Sequence, residues 1–333
     1  MAKPQIAILV KQSIREKILH KEDLEMLQGI ADVKINPEDR DLEGEEAADF
    51  LRGADGVMAS WTSGITERMQ LTPAALEAAP QLKIWSHAAG TIKGKVCDEA
   101  WEKGVVVTSA APAIADDVAE YTMALITTGL RGVIPRMRQM AANEKRNKGV
   151  VKTLYRRTVG VISASHVGQR VMKLLQPYRV RLLLYDPFVS EAQAKEFGAE
   201  LVDLETMARA CEVVTCHAPR LDATRHMWNG THFKLMKDDA VFVNTSRGPN
   251  IDEAALIEEL QKGRLFALLD VTDPEPAAPE NPLRTLPNVV LTPHIAGPQT
   301  YRVGELAADE LRRYFAGEDQ LHRVTHDMLE TIA

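Results

Sequence analysis

Residues 158–186 constrain this 333-residue chain more than any other stretch. A short apolar run, 159–162, reads as a buried strand. Small residues follow, Ser163-Ala164-Ser165-His166-Val167-Gly168, and suit a tight turn. Val167, Val171, Leu174 and Leu175 then recur at helical spacing as far as Pro177. A second apolar run, 180–185, ends in Asp186. Strand, turn, helix and strand in this order make a parallel crossover unit, the building block of doubly wound α/β sheets.

Such a unit can present phosphates to the positive end of a helix, where backbone N–H groups point outward. An acid ending the second strand can accept hydrogen bonds from a ribose hydroxyl. Asp186 lies 18 positions after Gly168, near the spacing of about 20 expected of a dinucleotide site. The glycines depart from the G-x-G-x-x-G fingerprint, because the chain reads Ser163-x-Ser165-x-x-Gly168. Gly168 keeps the close helix–strand packing, and Ser163 has to make the tight turn with a Cβ. Ser165 stands where bare backbone approaches a pyrophosphate, and its side chain either crowds the phosphate or donates a hydroxyl to it. From the unit alone, a cofactor site and a purely structural βαβ unit both remain open.

The rest of the chain alternates in the same way. Before the unit, strands are expected at 5–10, 33–35, 56–60, 82–86 and 105–108, with helices at 13–28, 45–51, from Thr72-Pro73, and near 98–103. A long apolar-rich helix, 114–130, can join two domains. After the unit come strands at 212–216, 240–245, 265–270 and 289–291, a helix capped by Asp252 and stopped by Gly263, and a final helix at 299–315. This predicts an α/β chain with two domains, each long enough to bury a core.

Apolar and charged fractions of 45% and 26% are those of a globular protein. The net charge of −7 argues against nucleic acid as a partner. One basic run stands out: Arg136, Arg138, Lys145, Arg146, Lys148, Lys152, Arg156 and Arg157 against a lone Glu144. It reads as a solvated arm, since no aromatic interleaving supports a nucleic-acid patch. Cys97, Cys211 and Cys216 are odd in number and lack metal-ligand spacing, so no metal is expected. No apolar run is long enough for a membrane span, and the run at 6–10 is too short for a signal peptide. The expected setting is a reduced cytoplasm.

Four polar residues fall at or just after predicted strand ends, where open parallel sheets bind ligands: His217, Arg247, Glu275 and His294. Singly, each has a plain structural reading: a satisfied histidine, a surface ion pair or a solvated acid. Together, behind a nucleotide-type turn, they suggest one site. A guanidinium can grip a carboxylate through two parallel bonds. Histidine can exchange a proton with a carbonyl oxygen near neutral pH. A carboxylate beside the imidazole orients it and stabilises its protonated form.

At these residues the chain resembles the D-isomer-specific 2-hydroxyacid dehydrogenases, relatives of phosphoglycerate, glycerate and formate dehydrogenases. The resemblance runs over most of the chain. It is densest in V-G-x₇-G with Asp186, in H-A-P at 217–219 with Thr224-Arg225-His226, in N-T-S-R-G from Asn244, in L-D-V-x-x-x-E-P from Leu269 and in L-T-P-H-I-A-G from Leu291. It implies two Rossmann-like domains with doubly wound parallel sheets, the NAD-binding domain (109–296) inserted into a flavodoxin-like substrate domain (1–108 and 297–333). It implies interconversion of a small 2-oxo acid and a D-2-hydroxy acid, with Arg247 binding substrate, His294 as acid/base and Glu275 paired to it. Cofactor contacts are implied at Ser163, Ser165, His166, Val167, Gly168, Asp186, His217, Ala218, Pro219, Thr245, Arg247, Asp270 and His294. Substrate contacts are implied at Ala88, Ala89, Gly90, Arg247 and His294. Asp186 favours NAD over NADP, because a 2′-phosphate would meet a carboxylate. Trp61 and the loops at 60–66 and 87–93 are candidates for shaping the pocket. A homodimer through the cofactor domain is expected, with the basic arm contributing. The alternative is a regulatory or binding protein on a dehydrogenase scaffold, suggested by Ser163 and Ser165.

Overall fold

The computed structural model describes residues 3–61, 69–144 and 151–332. Among these residues, twelve strands form two parallel sheets. The first five are β1 (Gln5–Ile8), β2 (Asp32–Ile35), β3 (Gly56–Ala59), β4 (Ile84–His87) and β5 (Val106–Ser109). The other seven are β6 (Thr158–Ile162), β7 (Arg181–Tyr185), β8 (Ala199–Leu201), β9 (Val213–Cys216), β10 (Ala240–Asn244), β11 (Leu265–Leu269) and β12 (Val289–Leu291). The chain divides into two compact units, 1–114 with 298–333, and 115–297. The first division falls inside helix Ala111–Arg131.

In the first unit the order is β2-β1-β3-β4-β5, the flavodoxin-like arrangement. Strand β1 shows why its residues read as a continuous apolar run. Ile6 and Ile8 enter one core and Ala7 the other, so both faces are covered. Helix Tyr301–Ala316 returns to this unit, and Gly304 lets it approach closely, since a Cβ there would lie 1.9 Å from the Ile18 carbonyl oxygen. The single helix expected at 13–28 is two helices, Gln12–Ile18 and Lys21–Ile30. The break comes at Leu19-His20, both extended, where Asp23 accepts a hydrogen bond from the His20 N–H (3.0 Å) and starts the second helix.

In the second unit the order is β12-β11-β10-β9-β6-β7-β8. Chain order reverses between β6 and β9, which makes the space beyond their carboxyl ends the topological switch point. Ala240 and Phe242 pack on one face, Val241 and Val243 on the other. Strand β8 was not expected, and neither was helix Val133–Ala141 within the basic arm. Lys145, Arg146 and Lys148 lie outside the described residues, as do 62–66 of the loop at 60–66. No described helix is long and apolar enough to cross a membrane, and no described cluster of acids, histidines or cysteines could hold a metal.

Candidate active site

The turn after β6 is built by backbone geometry. Ser163 sits at φ 76°, the left-handed region that glycine enters freely and that disfavours a side chain by about 1–2 kcal/mol. Asp186, ending β7, holds it there: one carboxylate oxygen accepts from Ser163 Oγ (3.2 Å) and from the Ala164 N–H (2.8 Å). The other accepts from the Phe188 N–H (2.9 Å). Gly168 is compulsory, because a Cβ there would lie 2.0 Å from the Ser163 carbonyl oxygen.

Ser165 has partners within the protein. Its hydroxyl caps helix His166–Leu175, accepting from the Gly168 N–H at 3.4 Å, and donates to the His217 carbonyl at 2.8 Å. The side chain is therefore engaged by protein rather than standing over the turn. The Val167 N–H in the first helical turn donates to no group among the described residues. The turn thus offers an unclaimed donor at a helix N-terminus, which fits a dinucleotide's pyrophosphate.

Loop 217–219, after β9, packs against the loop after β10. Asn250 donates to the Ala218 carbonyl (2.7 Å), and Thr224 Oγ1 donates to the Pro219 carbonyl (2.6 Å). His217 is buried, with a ring nitrogen 2.9 Å from Thr215 Oγ1, and burial pushes its pKa down to about 3. It is a neutral residue of the wall. Thr245 is buried too, its hydroxyl 2.8 Å from Thr122 Oγ1.

Arg247, Glu275 and His294 come from three successive loops after β10, β11 and β12. Asn244 accepts from the Ser246 N–H and donates to the Arg247 carbonyl, fixing the first loop. Gly248 lets this loop meet the second, since a Cβ there would lie 2.0 Å from the Thr272 carbonyl oxygen. Arg247 donates to the Ser246 carbonyl at 2.7 Å. Burial lowers its pKa from the usual arginine value, and the Glu275 carboxylate opposes that shift.

His294 sits at φ 55° with its Nδ1 2.5 Å from Glu275 Oε1. The imidazole is 47% exposed, so its other face is open. With Nδ1 committed to the carboxylate, Nε2 is the nitrogen able to meet a reacting oxygen.

Asp270 holds the loop that carries His294. It is 1% exposed, and Oδ1 accepts from Thr292 Oγ1 (2.6 Å) and the Ile295 N–H (2.9 Å). Oδ2 accepts from the Ala296 N–H (2.8 Å), and the Asp270 carbonyl from the His294 N–H (3.0 Å). Three supporting residues gave no sequence signal. Tyr121 donates to Thr292 (3.1 Å), while Glu253 accepts from the Asp273 N–H and from Asn281, fixing the proline-rich loop.

Ala88, Ala89 and Gly90 belong to the first unit, just after β4. Ser60 donates to the Ala88 carbonyl (2.9 Å) and Ser109 to that of Gly90 (2.6 Å). The Ala89 and Gly90 N–H groups donate to nothing among the described residues. That leaves two amides able to receive an anion. Trp61 packs at the edge of the first unit's core.

The switch-point turn is that of a dinucleotide-binding sheet, and Arg247, Glu275 and His294 stand on the loops at its carboxyl end. Residues 123–296 match the model of the D-isomer specific 2-hydroxyacid dehydrogenase, NAD binding domain. D-3-phosphoglycerate dehydrogenase of Methanocaldococcus jannaschii is 31% identical over 309 residues, 90% of this chain and 56% of that protein. This chain therefore spans little more than half of that relative. Hydroxypyruvate reductase of Thermotoga maritima is 31% identical over 281 residues, 83% of this chain and 88% of its own. Apo D-mandelate dehydrogenase of Rhodotorula graminis shares the fold, with a TM-score of 0.81 at 22% identity over 97% of this chain and 98% of that one. The chain belongs to the D-isomer specific 2-hydroxyacid dehydrogenase family, and its cofactor is a nicotinamide dinucleotide.

Proposed function

We propose that the protein interconverts a small 2-oxo acid and a D-2-hydroxy acid with NAD(H). The observation that carries this reading is the His294–Glu275 pair at 2.5 Å beside Arg247. The bound nicotinamide supplies the hydride in reduction and accepts it in oxidation. The Val167 N–H, the helix N-terminus and Asp186 are the groups to hold the dinucleotide. Asp186 has three of its roughly four acceptor positions filled by protein. The remaining one suits a ribose hydroxyl, and the carboxylate disfavours a 2′-phosphate.

Arg247 receives the substrate carboxylate. His294 gives a proton to the carbonyl oxygen in reduction and takes it back in oxidation. Glu275 keeps Nδ1 protonated and stabilises the imidazolium. This constellation favours an enzyme over the regulatory reading. In this reading His294 matters for rate and little for folding, because its side chain is half exposed. His294→Ala is therefore expected to lower turnover of 2-oxo acids by roughly 10²–10⁴-fold with an unchanged melting temperature. Near-normal turnover in that variant would remove the assignment.

The partner proposed is a second copy of the chain. Val133, Met137 and Met140, spaced four and three residues apart on helix Val133–Ala141, are 44%, 57% and 65% exposed. They form an apolar stripe of the kind that marks an interface. Sedimentation equilibrium is expected to give a dimer, and Met137→Glu with Met140→Glu a monomer. A wild-type monomer would refute this. All three cysteines are free and buried, which fits a reducing compartment.

A further inference from the structure

The second unit holds a cavity of about 370 Å³ lined by the segments that lead into β6 and β7, at the opposite end of those strands from the turn at Ser163. Its wall includes Arg131, Lys152, Arg179, Tyr155 and Tyr178 and, among the described residues, no acidic one. This is unusual in a chain with a net charge of −7.

Several exposed arginines here pair with acids: Arg40 with Glu46, Arg181 with Glu200, Arg312 with Glu318. Arg131 and Arg179 make no ion pair and no side-chain hydrogen bond among the described residues. Lys152 is held at the rim by Asp239, its ammonium 3.0 Å from the backbone carbonyl and 3.7 Å from the carboxylate, so its charge is already paired and the free cations are the two arginines. Arg179 is kept at φ 53°, where glycine or asparagine would fit more easily. Tyr155 and Tyr178 are 52% and 44% exposed, and the Arg156 guanidinium stands 5.3 Å from the Tyr155 ring centre. Two guanidiniums without partners among the described residues and two half-exposed tyrosines, one already holding a guanidinium near its ring, around a cavity of small-molecule size match a phosphorylated, ring-bearing ligand.

We propose that this cavity is a second ligand site, for a nucleotide-sized organic phosphate, separate from the cofactor turn. Arg131 and Arg179 grip the phosphate, and the tyrosines give flat surfaces to the ring. The proposal does not depend on the dehydrogenase reading, because its residues lie at the other end of the strands.

The test is calorimetric titration of the full-length protein with AMP, and with adenosine, in saturating NADH. AMP is expected to bind while NADH is present, and adenosine to bind at least tenfold more weakly. Arg131→Gln and Arg179→Gln are each expected to weaken AMP roughly tenfold. NADH affinity is expected to be equal in the variants and the wild type. Both side chains are exposed, so the variants are expected to keep the fold, checked by circular dichroism. Loss of the AMP heat once NADH is saturating would overturn the proposal, and so would unchanged AMP binding in both variants.

Discussion

Replacing Asp270 with Asn tests how His294 is held. The two side chains have nearly the same shape, so no cavity forms and only hydrogen bonding changes. Asp270 accepts from three donors of the loop 292–296 and is buried. Asparagine offers one oxygen and one NH₂ group. If its oxygen faces Ile295 and Thr292, the NH₂ group points at the Ala296 N–H. If it is flipped, the NH₂ group points at the Ile295 N–H. Either way, one buried backbone donor loses its acceptor and faces another donor. Losing a bond to a charged acceptor costs about 1.5–3 kcal/mol, and an unsatisfied buried N–H is of the same order. Opening of the loop is therefore expected to become easier by about 3 kcal/mol, roughly a hundredfold. Hydrogen exchange read by mass spectrometry on a peptide covering 291–297 measures this directly. The Ile295 and Ala296 amides are expected to exchange about a hundredfold faster, with the β6 and β10 amides unchanged. Turnover is expected to fall by about 10–100-fold through misplacement of His294. Exchange and turnover both within twofold of wild type would refute the view that this carboxylate organises the loop.

Two further outcomes follow from packing and burial. Gly248→Ala forces a Cβ to 2.0 Å from the Thr272 carbonyl oxygen, a backbone atom that cannot swing aside. A destabilisation of about 3 kcal/mol or more, with separation of the Arg247 and Glu275 loops, is expected in denaturant titration; a variant as stable as wild type would be inconsistent with the close approach. Burial pushes both His87 and His217 down to about 3, with Lys95 adding to the effect at His87. Both are neutral when folded, and the unfolded chain takes up protons below about pH 6.5. The stability they allow is therefore complete above that value and is lost as pH falls from about 6.5 toward 3. The loss is about 1.4 kcal/mol per histidine for each pH unit well inside that window. His87 lies in the first unit and His217 in the second, so both unfolding transitions are expected to move to lower denaturant between pH 6.5 and 4.5, and His217→Gln is expected to reduce the pH dependence of the second unit only, His232, also lowered by burial, keeping part of it.

How far the fold could be read in advance depended on how each element is buried. Strands covered on both faces, such as β6 and β10, appear as unbroken apolar runs and were legible to within a residue or two. Strand β8 is a three-residue edge with one buried position, so it carries no periodic signal. The break at Leu19-His20 is hidden because apolar spacing continues across it, and only the Asp23 cap marks it. Arg247, Glu275 and His294 follow strand ends, which is the position that marked them in the sequence. Glu253 was not, because it reaches the site loop from a helix whose first turn explains an acid equally well. Ser163 shows where a local rule gives way to its surroundings. The fingerprint calls for glycine because the turn needs a left-handed residue, and the structure keeps that conformation with a serine. What makes this workable is Asp186, whose carboxylate binds both the serine hydroxyl and the next amide. The strain of about 1–2 kcal/mol is met by two hydrogen bonds to a charge, each of comparable size. The residue that would receive a ribose thus also shapes the turn that would receive the phosphates, so exchange at either position is expected to act on both.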